Sequence, residues 1–371
     1  MYIEKSTISN IVEAIKQLDM EEDTVVLVAI ADKNTPDIKE LIRHLNQNRI
    51  AFIGGIFPGV IDGTNCYEEG TKLFVLPMIE KPLLLKNISQ KTLQLPEWIN
   101  SMGNADKKYT AMIIIDGFSS NISGFLANVF DQLGSSVSYI GGGAGCREKQ
   151  HPCIFTPEGF FQDAAMIVLV RSESLLGVGH GFKRFVGPII ATRTHDNAIS
   201  ELNWENAFTV YKKIVENDCG QIVTMENFLD FTNCYLFALA RECSEDVVRT
   251  PIGVSPSGEL HCLCEVPENT VLYIAKGEQI SILEATGQIG RCCQGLFGEK
   301  IRTTMVFNCV GRRFLLQDKF QIELAVVNDN LIKNFGIGLA GGMLTFGEIA
   351  SDGNGFLEYY NKTLVVGVLY E

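Results

Sequence analysis

Apolar positions along this chain fall in short blocks, and their periodicity changes near the middle. Val25–Ala31 (VVLVAIA) is continuous and β-branched, which predicts a strand buried on both faces. Thr35-Pro36 then reads as an N-cap with proline at the first helical position, and Ile38, Leu41, Ile42 and Leu45 follow at helical spacing. Ile50–Phe57 is the next predicted strand, so the segment forms a β-α-β unit with parallel strands. A second unit follows. It has a strand over Ala111–Ile115, a helix over Ser120–Leu133 with Leu126, Val129, Phe130 and Leu133 on one face, and a strand over Val137–Ile140.

Beyond this point the blocks shorten and turn residues separate them. Ala164–Val170, Leu175–His180, Pro188–Thr192 and Ala198–Leu202 predict an antiparallel meander, closed by a helix over Glu205–Glu216. The polar stretch Asn217-Asp218-Cys219-Gly220 marks a boundary. After it we expect a buried helix over Met225–Ala240, then strands Ile252–Val254, Leu260–Cys264 and Leu272–Ala275. A helix over Gln279–Phe297, a strand Thr303–Val310, a long helix Arg312–Lys333 and a final group of strands from Phe335 to Tyr370 complete the pattern. Pro77–Asp106 carries the least pattern and is expected to be irregular. The fold class is therefore α/β to α+β. An N-terminal helix within residues 1–22 precedes two mixed-sheet domains, 23–216 and 217–371, flanked by helices. Whether they pack sheet to sheet or stand apart is open at this level.

Composition narrows the function. The 371 residues are 46% hydrophobic and 20% charged, enough for a substantial core. A formal net charge of -13 leaves no excess of cations for nucleic acid or an anionic membrane. The longest apolar runs fall well short of the ~20 residues of a spanning helix, and the acidic N-terminus lacks an apolar targeting region. Eleven scattered cysteines, an odd count, point to reduced thiols and a cytoplasmic protein.

Several residues carry candidate chemistry. Asp116 lies just past a buried strand, where open α/β sheets bind ligands, although aspartate also forms turns there. Gly141–Cys146 (GGGAGC), with Gly143 at its centre, reads as a glycine turn that packs closely or cradles an anion; it lacks the full dinucleotide fingerprint, and no Walker motif is present. His180, between glycines in GVGHGF, suits a structural imidazole, a proton carrier or a haem ligand. His261-Cys262-Leu263-Cys264 has no second ligand pair, so no structural metal is expected. Cys309 and Arg312 follow a strand, and there Arg312 can grip a carboxylate and Cys309 can act as a nucleophile. By strand alternation Phe346 and Glu348 share a face, which can hold an ammonium group by charge and ring. Asn361 and Thr363 offer hydrogen bonds or shape a turn.

Two blocks are also recognisable. Ala340–Thr363 (AGGMLTFGEIASDGNGFLEYYNKT) and Phe307–Leu316 (FNCVGRRFLL) resemble the C-terminal signature of the FIST family. The GG-x-AG block at Gly141–Gly145, with Cys146 where an acid is more usual, and the HG-aromatic block at His180 resemble its N-terminal domain. The resemblance implies an intracellular sensory module for a small ligand, with amino acids a proposed class, and the length of the chain leads us to expect a stand-alone one. Its output then passes to a separate partner such as a sensor kinase or chemoreceptor. Some FIST relatives are haem proteins that sense nitric oxide, which makes haem on His180 the alternative. An enzyme using Cys309 or Asp116 is a third reading.

Overall fold

The computed structural model describes residues 1–90, 96, 109–135, 137–148, 151–241, 245–292, 299–351 and 357–371. Four sheets organise them. The first runs Tyr2–Ile3, Thr71–Pro77, Thr24–Ala31, Phe52–Phe57, Ile154–Thr156, Gly159–Phe161 in spatial order. The second runs Leu357–Tyr360, Glu348–Ser351, Ser138–Ala144, Thr110–Asp116, Ala164–Val170, Leu83–Lys86. The third runs Glu173–Gly179, Leu364–Tyr370, Ile301–Cys309, Gly341–Thr345, Gly59–Asp62, Asn65–Tyr67. The fourth is built around Thr270–Lys276, Lys183–His195 and Ala198–Leu202. Only the first sheet draws all its strands from one side of Gly220; the other three interleave both halves of the chain. The halves therefore share sheets. The parallel pairs are Thr24–Ala31 with Phe52–Phe57, Thr110–Asp116 with Ser138–Ala144, and Ile301–Cys309 with Gly341–Thr345.

Period-two alternation explains why the apolar runs are continuous. In the second sheet Met112 and Ile114 enter a central core shared with the first and third sheets. Ile113 and Ile115 point the other way, under the helix Ile122–Leu133. In the third sheet Met305 and Phe307 face the central core, while Val306 packs against Leu324 and Val327 of the helix Phe320–Phe335. The fourth sheet covers one face with the helix Ala207–Cys219.

Several boundaries and element types differ from expectation. Residues 1–22 contain the helix Ile8–Lys16, preceded by the short strand Tyr2–Ile3. Asp37, not Thr35, caps the helix Ile38–Gln47 by accepting from the Glu40 amide at 3.1 Å. Met225–Ala240 is not a helix: a short helix, Phe228–Phe231, is followed by the strand Tyr235–Leu239. An apolar run buried on all sides looks the same in either conformation until its neighbours are known. The expected long helix is two, Val310–Leu316 and Phe320–Phe335, broken at Gln317 with φ 50°. The glycines Gly141–Gly143 lie inside the strand Ser138–Ala144 instead of forming a turn. The end of the predicted helix Gln279–Phe297 lies outside the described residues, which show helix over Gln279–Cys292.

Candidate functional site

The two C-terminal signature blocks meet in the interior. Arg312 enters from the first turns of the helix Val310–Leu316 and is buried. Its Nε donates to Glu323 Oε1 at 3.2 Å, and Nη2 donates to the same oxygen. Nη1 donates to the carbonyls of His180 (2.6 Å) and Lys362 (3.0 Å), and Nη2 also reaches Thr286 Oγ1 at 3.4 Å. Glu323 accepts in addition from Asn308 Nδ2 at 2.7 Å and Thr286 Oγ1 at 3.1 Å. The donors of the guanidinium are thus taken by the protein, and none is left as a fork for a ligand carboxylate. Arg312 is a tie between helices, the His180 segment and the C-terminal strand.

Glu348 is equally buried but has no cation on it. Its oxygens accept from Thr345 Oγ1 at 2.8 Å and from the Thr363 amide at 3.1 Å, with the Cys309 thiol as a further donor. Burial pushes this carboxyl up to about 8. Burial likewise pushes Cys309 up to about 12, which favours the thiol over the thiolate. The expected sharing of a face by Phe346 and Glu348 does not occur, because Phe346 and Gly347 form the break between the strands Gly341–Thr345 and Glu348–Ser351. Gly347 has φ 94°, and a β-carbon there would lie 2.3 Å from the Tyr359 ring. Only glycine fits.

The Asn-Lys-Thr run closes this knot. Thr363 holds Glu348 through its amide and Cys309 through its carbonyl (3.1 Å). Lys362, with φ 52°, lays its stem over Gly311 and donates to Asn233 Oδ1 at 2.7 Å; burial lowers its pKa. Asn361 donates to the Tyr360 carbonyl at 3.0 Å and touches Cys264 Sγ at 3.6 Å. Its own Oδ1 is buried with no partner among the described residues.

The N-terminal candidates have local duties. Asp116 accepts from the Phe118 amide (3.1 Å) and the Asp163 amide (2.8 Å), which fixes the turn after its strand; burial raises its pKa. Gly143 pairs with the Phe346–Gly347 break, donating to Gly347 O at 2.8 Å and accepting from the Phe346 amide at 2.9 Å. It allows close approach and cradles no anion. His180 is buried and its pKa is lowered by that burial. Its Nδ1 accepts from the Phe182 amide at 2.9 Å, which assigns the proton to Nε2, 3.0 Å from the Asp246 carbonyl. Both ring nitrogens therefore have protein partners in this arrangement.

An open cleft lies beside this knot. It encloses about 460 Å³ beyond the carboxyl end of the strand Thr110–Asp116. One wall is the turn from Gly117 to Ile122, and the other is Asp196, Leu263, Cys264 and Glu265. The helix Ile122–Leu133 starts at the first wall; its N-cap Asn121 has φ 58° and makes no side-chain cap. Ser119 Oγ is buried there with no partner among the described residues. Phe346 packs against Phe118 of this wall, ring centroids 4.6 Å apart and the rings tilted by 48°. Sequence reasoning located the strand end at Asp116 but missed Ser119, Asn121 and Glu265. The run DGFSSN after a buried strand was the available signal. A second cleft of about 600 Å³ contains the Asp32–Arg147 ion pair and Cys146.

Strands shared between halves, with an interleaved glycine and acid signature at the junction, define a two-part module with a cleft between the parts. The chain belongs to the FIST family: the FIST N domain profile matches residues 24–205 and the FIST C domain profile matches residues 207–351. Domains of this family are associated with small-ligand sensing in signal transduction. No curated protein matches the chain. Among the described residues no helix is long and apolar enough to cross a membrane.

Proposed function

We propose that this chain is a sensory module that binds a small, amino-acid-like ligand in the cleft beyond Asp116 and signals to a separate partner, a sensor kinase or a chemoreceptor. The observation that carries this reading is the make-up of the cleft, whose walls come from both FIST domains. One wall offers the amides at the start of the helix Ile122–Leu133, which suit a carboxylate, and beside them Ser119 keeps a buried hydroxyl with no partner among the described residues. The facing wall offers the carboxylate of Asp196 and that of Glu265, which already accepts from Ser123 Oγ at 2.8 Å; the oxygens left over suit an ammonium. A zwitterion matches that polarity. Arg312 and Glu348, the anchors first expected, are buried and do not line the cleft.

A thermal-shift screen over the amino acids tests this. A ligand at a hundred times its dissociation constant stabilises the fold by about 2.7 kcal/mol. Ser120→Trp, at an exposed position lining the cleft, removes the shift of the best ligand while leaving the unliganded protein folded. If no amino acid moves the transition, the amino-acid reading is lost.

A further inference from the structure

We propose that Glu348 is a proton-operated trigger, and that gain or loss of its proton moves the Phe346–Gly347 break and with it the Phe118 wall of the cleft. The proposal concerns the wall alone and needs no ligand, so it stands or falls separately from the sensing reading.

The geometry begins with an unpaired acid. Glu348 is fully buried, and the cations nearest to it in charge are committed elsewhere. Arg312 is spent on Glu323 and carbonyls, and Lys362 donates to Asn233 Oδ1 at 2.7 Å and more distantly to Gly311 O at 3.5 Å. A buried carboxylate without a counter-charge is costly, so the neutral form is favoured until solution pH is high enough to remove the proton. The groups facing it from each packed element are few. Cys309 comes from the strand Ile301–Cys309, Arg312 from its helix, Tyr359 from the strand Leu357–Tyr360, Lys362 from the C-terminal run, and Cys264 from beside Asn361. On its other flank Glu348 pairs with Gly142, which brings no charge. Cys309 and Cys264 are pushed up by burial to about 12 and about 11, while burial lowers Lys362, so Glu348 is the acid of this group raised towards neutrality.

The coupling path is short. Glu348 holds Thr345 by a 2.8 Å hydrogen bond, so the carboxyl and the hydroxyl bracket the two-residue break. Phe346 in that break is fixed by its amide to Gly143 O at 2.9 Å and by the Tyr359 hydroxyl on its carbonyl. Its ring lies on Phe118, which lines the cleft. A neutral carboxyl carries a proton that must be donated, to Thr345 Oγ or Cys309 Sγ, whereas a carboxylate only accepts. In the proposed trigger the proton is directed at Thr345, whose hydroxyl then turns from donor to acceptor, and the change in that bond is what shifts the break.

Phe118→Trp supplies a reporter in the wall, read as emission against pH with the unsubstituted protein subtracted. We expect a single reversible transition with a midpoint near pH 8, in line with the raised carboxyl, and a flat profile when Glu348→Gln is added. Thr345→Val withdraws a donor from the carboxylate and moves the midpoint upward. It also serves if the glutamine variant does not fold. A transition that survives Glu348→Gln, a midpoint unmoved by Thr345→Val, or no transition in the reporter protein would each overturn the proposal.

Discussion

Arg312 shows how much one side chain can be misjudged from its type. A planar donor fork after a strand reads as a ligand clamp, yet here it is buried against Glu323 and three segments of backbone and side chain. Removing one partner of such a pair leaves the other charge stranded. Arg312→Ala is expected to lower stability by about 3–5 kcal/mol, measured by urea denaturation, with Arg312→Leu/Glu323→Leu far milder than either single change. Glu348 makes a prediction about pH. Its folded carboxyl is raised from 4.5 to about 8, so the native state binds the proton more tightly than the unfolded chain. Stability contributed by this group is full below pH 4.5, falls as pH climbs through the interval up to about 8, and is constant above it. Glu348→Gln should therefore gain on the parent protein as pH rises from 5 to 8, as read from denaturation midpoints at each pH. The opposite slope would mean that the carboxyl is paired in solution.

At the level of elements, the hairpin Ala198–Leu202 to Glu205–Asn206 turns on Asn203 and Trp204, with φ 51° and 63°. Two positive φ values in a two-residue turn call for Asn-Gly, and tryptophan occupies the glycine position. This residue is 75% exposed. Trp204→Gly should raise stability by about 0.5–1 kcal/mol by relieving left-handed strain. A loss in thermal denaturation would show that the indole packs usefully. The same scale explains the misread elements. Periodicity found the strands Thr24–Ala31 and Thr110–Asp116 because sequence-local β-branched runs settle them. It failed over Tyr235–Leu239, whose strand character comes from pairing with Thr270–Lys276 and Val247–Arg249. Nor could it place Phe346 and Gly347 outside a strand, since that break is defined by backbone contacts with Gly143.

For the whole molecule, shared sheets decide how it folds. The C-terminal strands Glu348–Ser351 and Leu357–Tyr360 extend a sheet begun by Thr110–Asp116 and Ser138–Ala144. In return Glu173–Gly179 and Gly59–Asp62 flank strands of the C-terminal half. Cutting at the family boundary would bare several sheet edges at once. Residues 1–206 and 207–371 expressed separately should each lack a cooperative transition by circular dichroism, whereas the intact chain melts in one step. A folded fragment on either side would show that the shared strands are dispensable. The same interleaving brings Ser119 and Glu265 to facing walls although 146 positions separate them (265 − 119).

Local sequence determined where apolar strands run, the mixed class of the fold and the two signature blocks, because periodicity, turn residues and motif spacing are properties of neighbours along the chain. It also placed Arg312, Glu348 and Asn361 in two blocks of one family signature, which meet in the fold. Only the tertiary structure decided that this meeting place is a packed interior and that the opening lies beside it at Gly117–Ile122. Burial and hydrogen-bond saturation depend on which distant segments arrive, and the same arginine or glutamate is a clamp in one surrounding and a buttress in another.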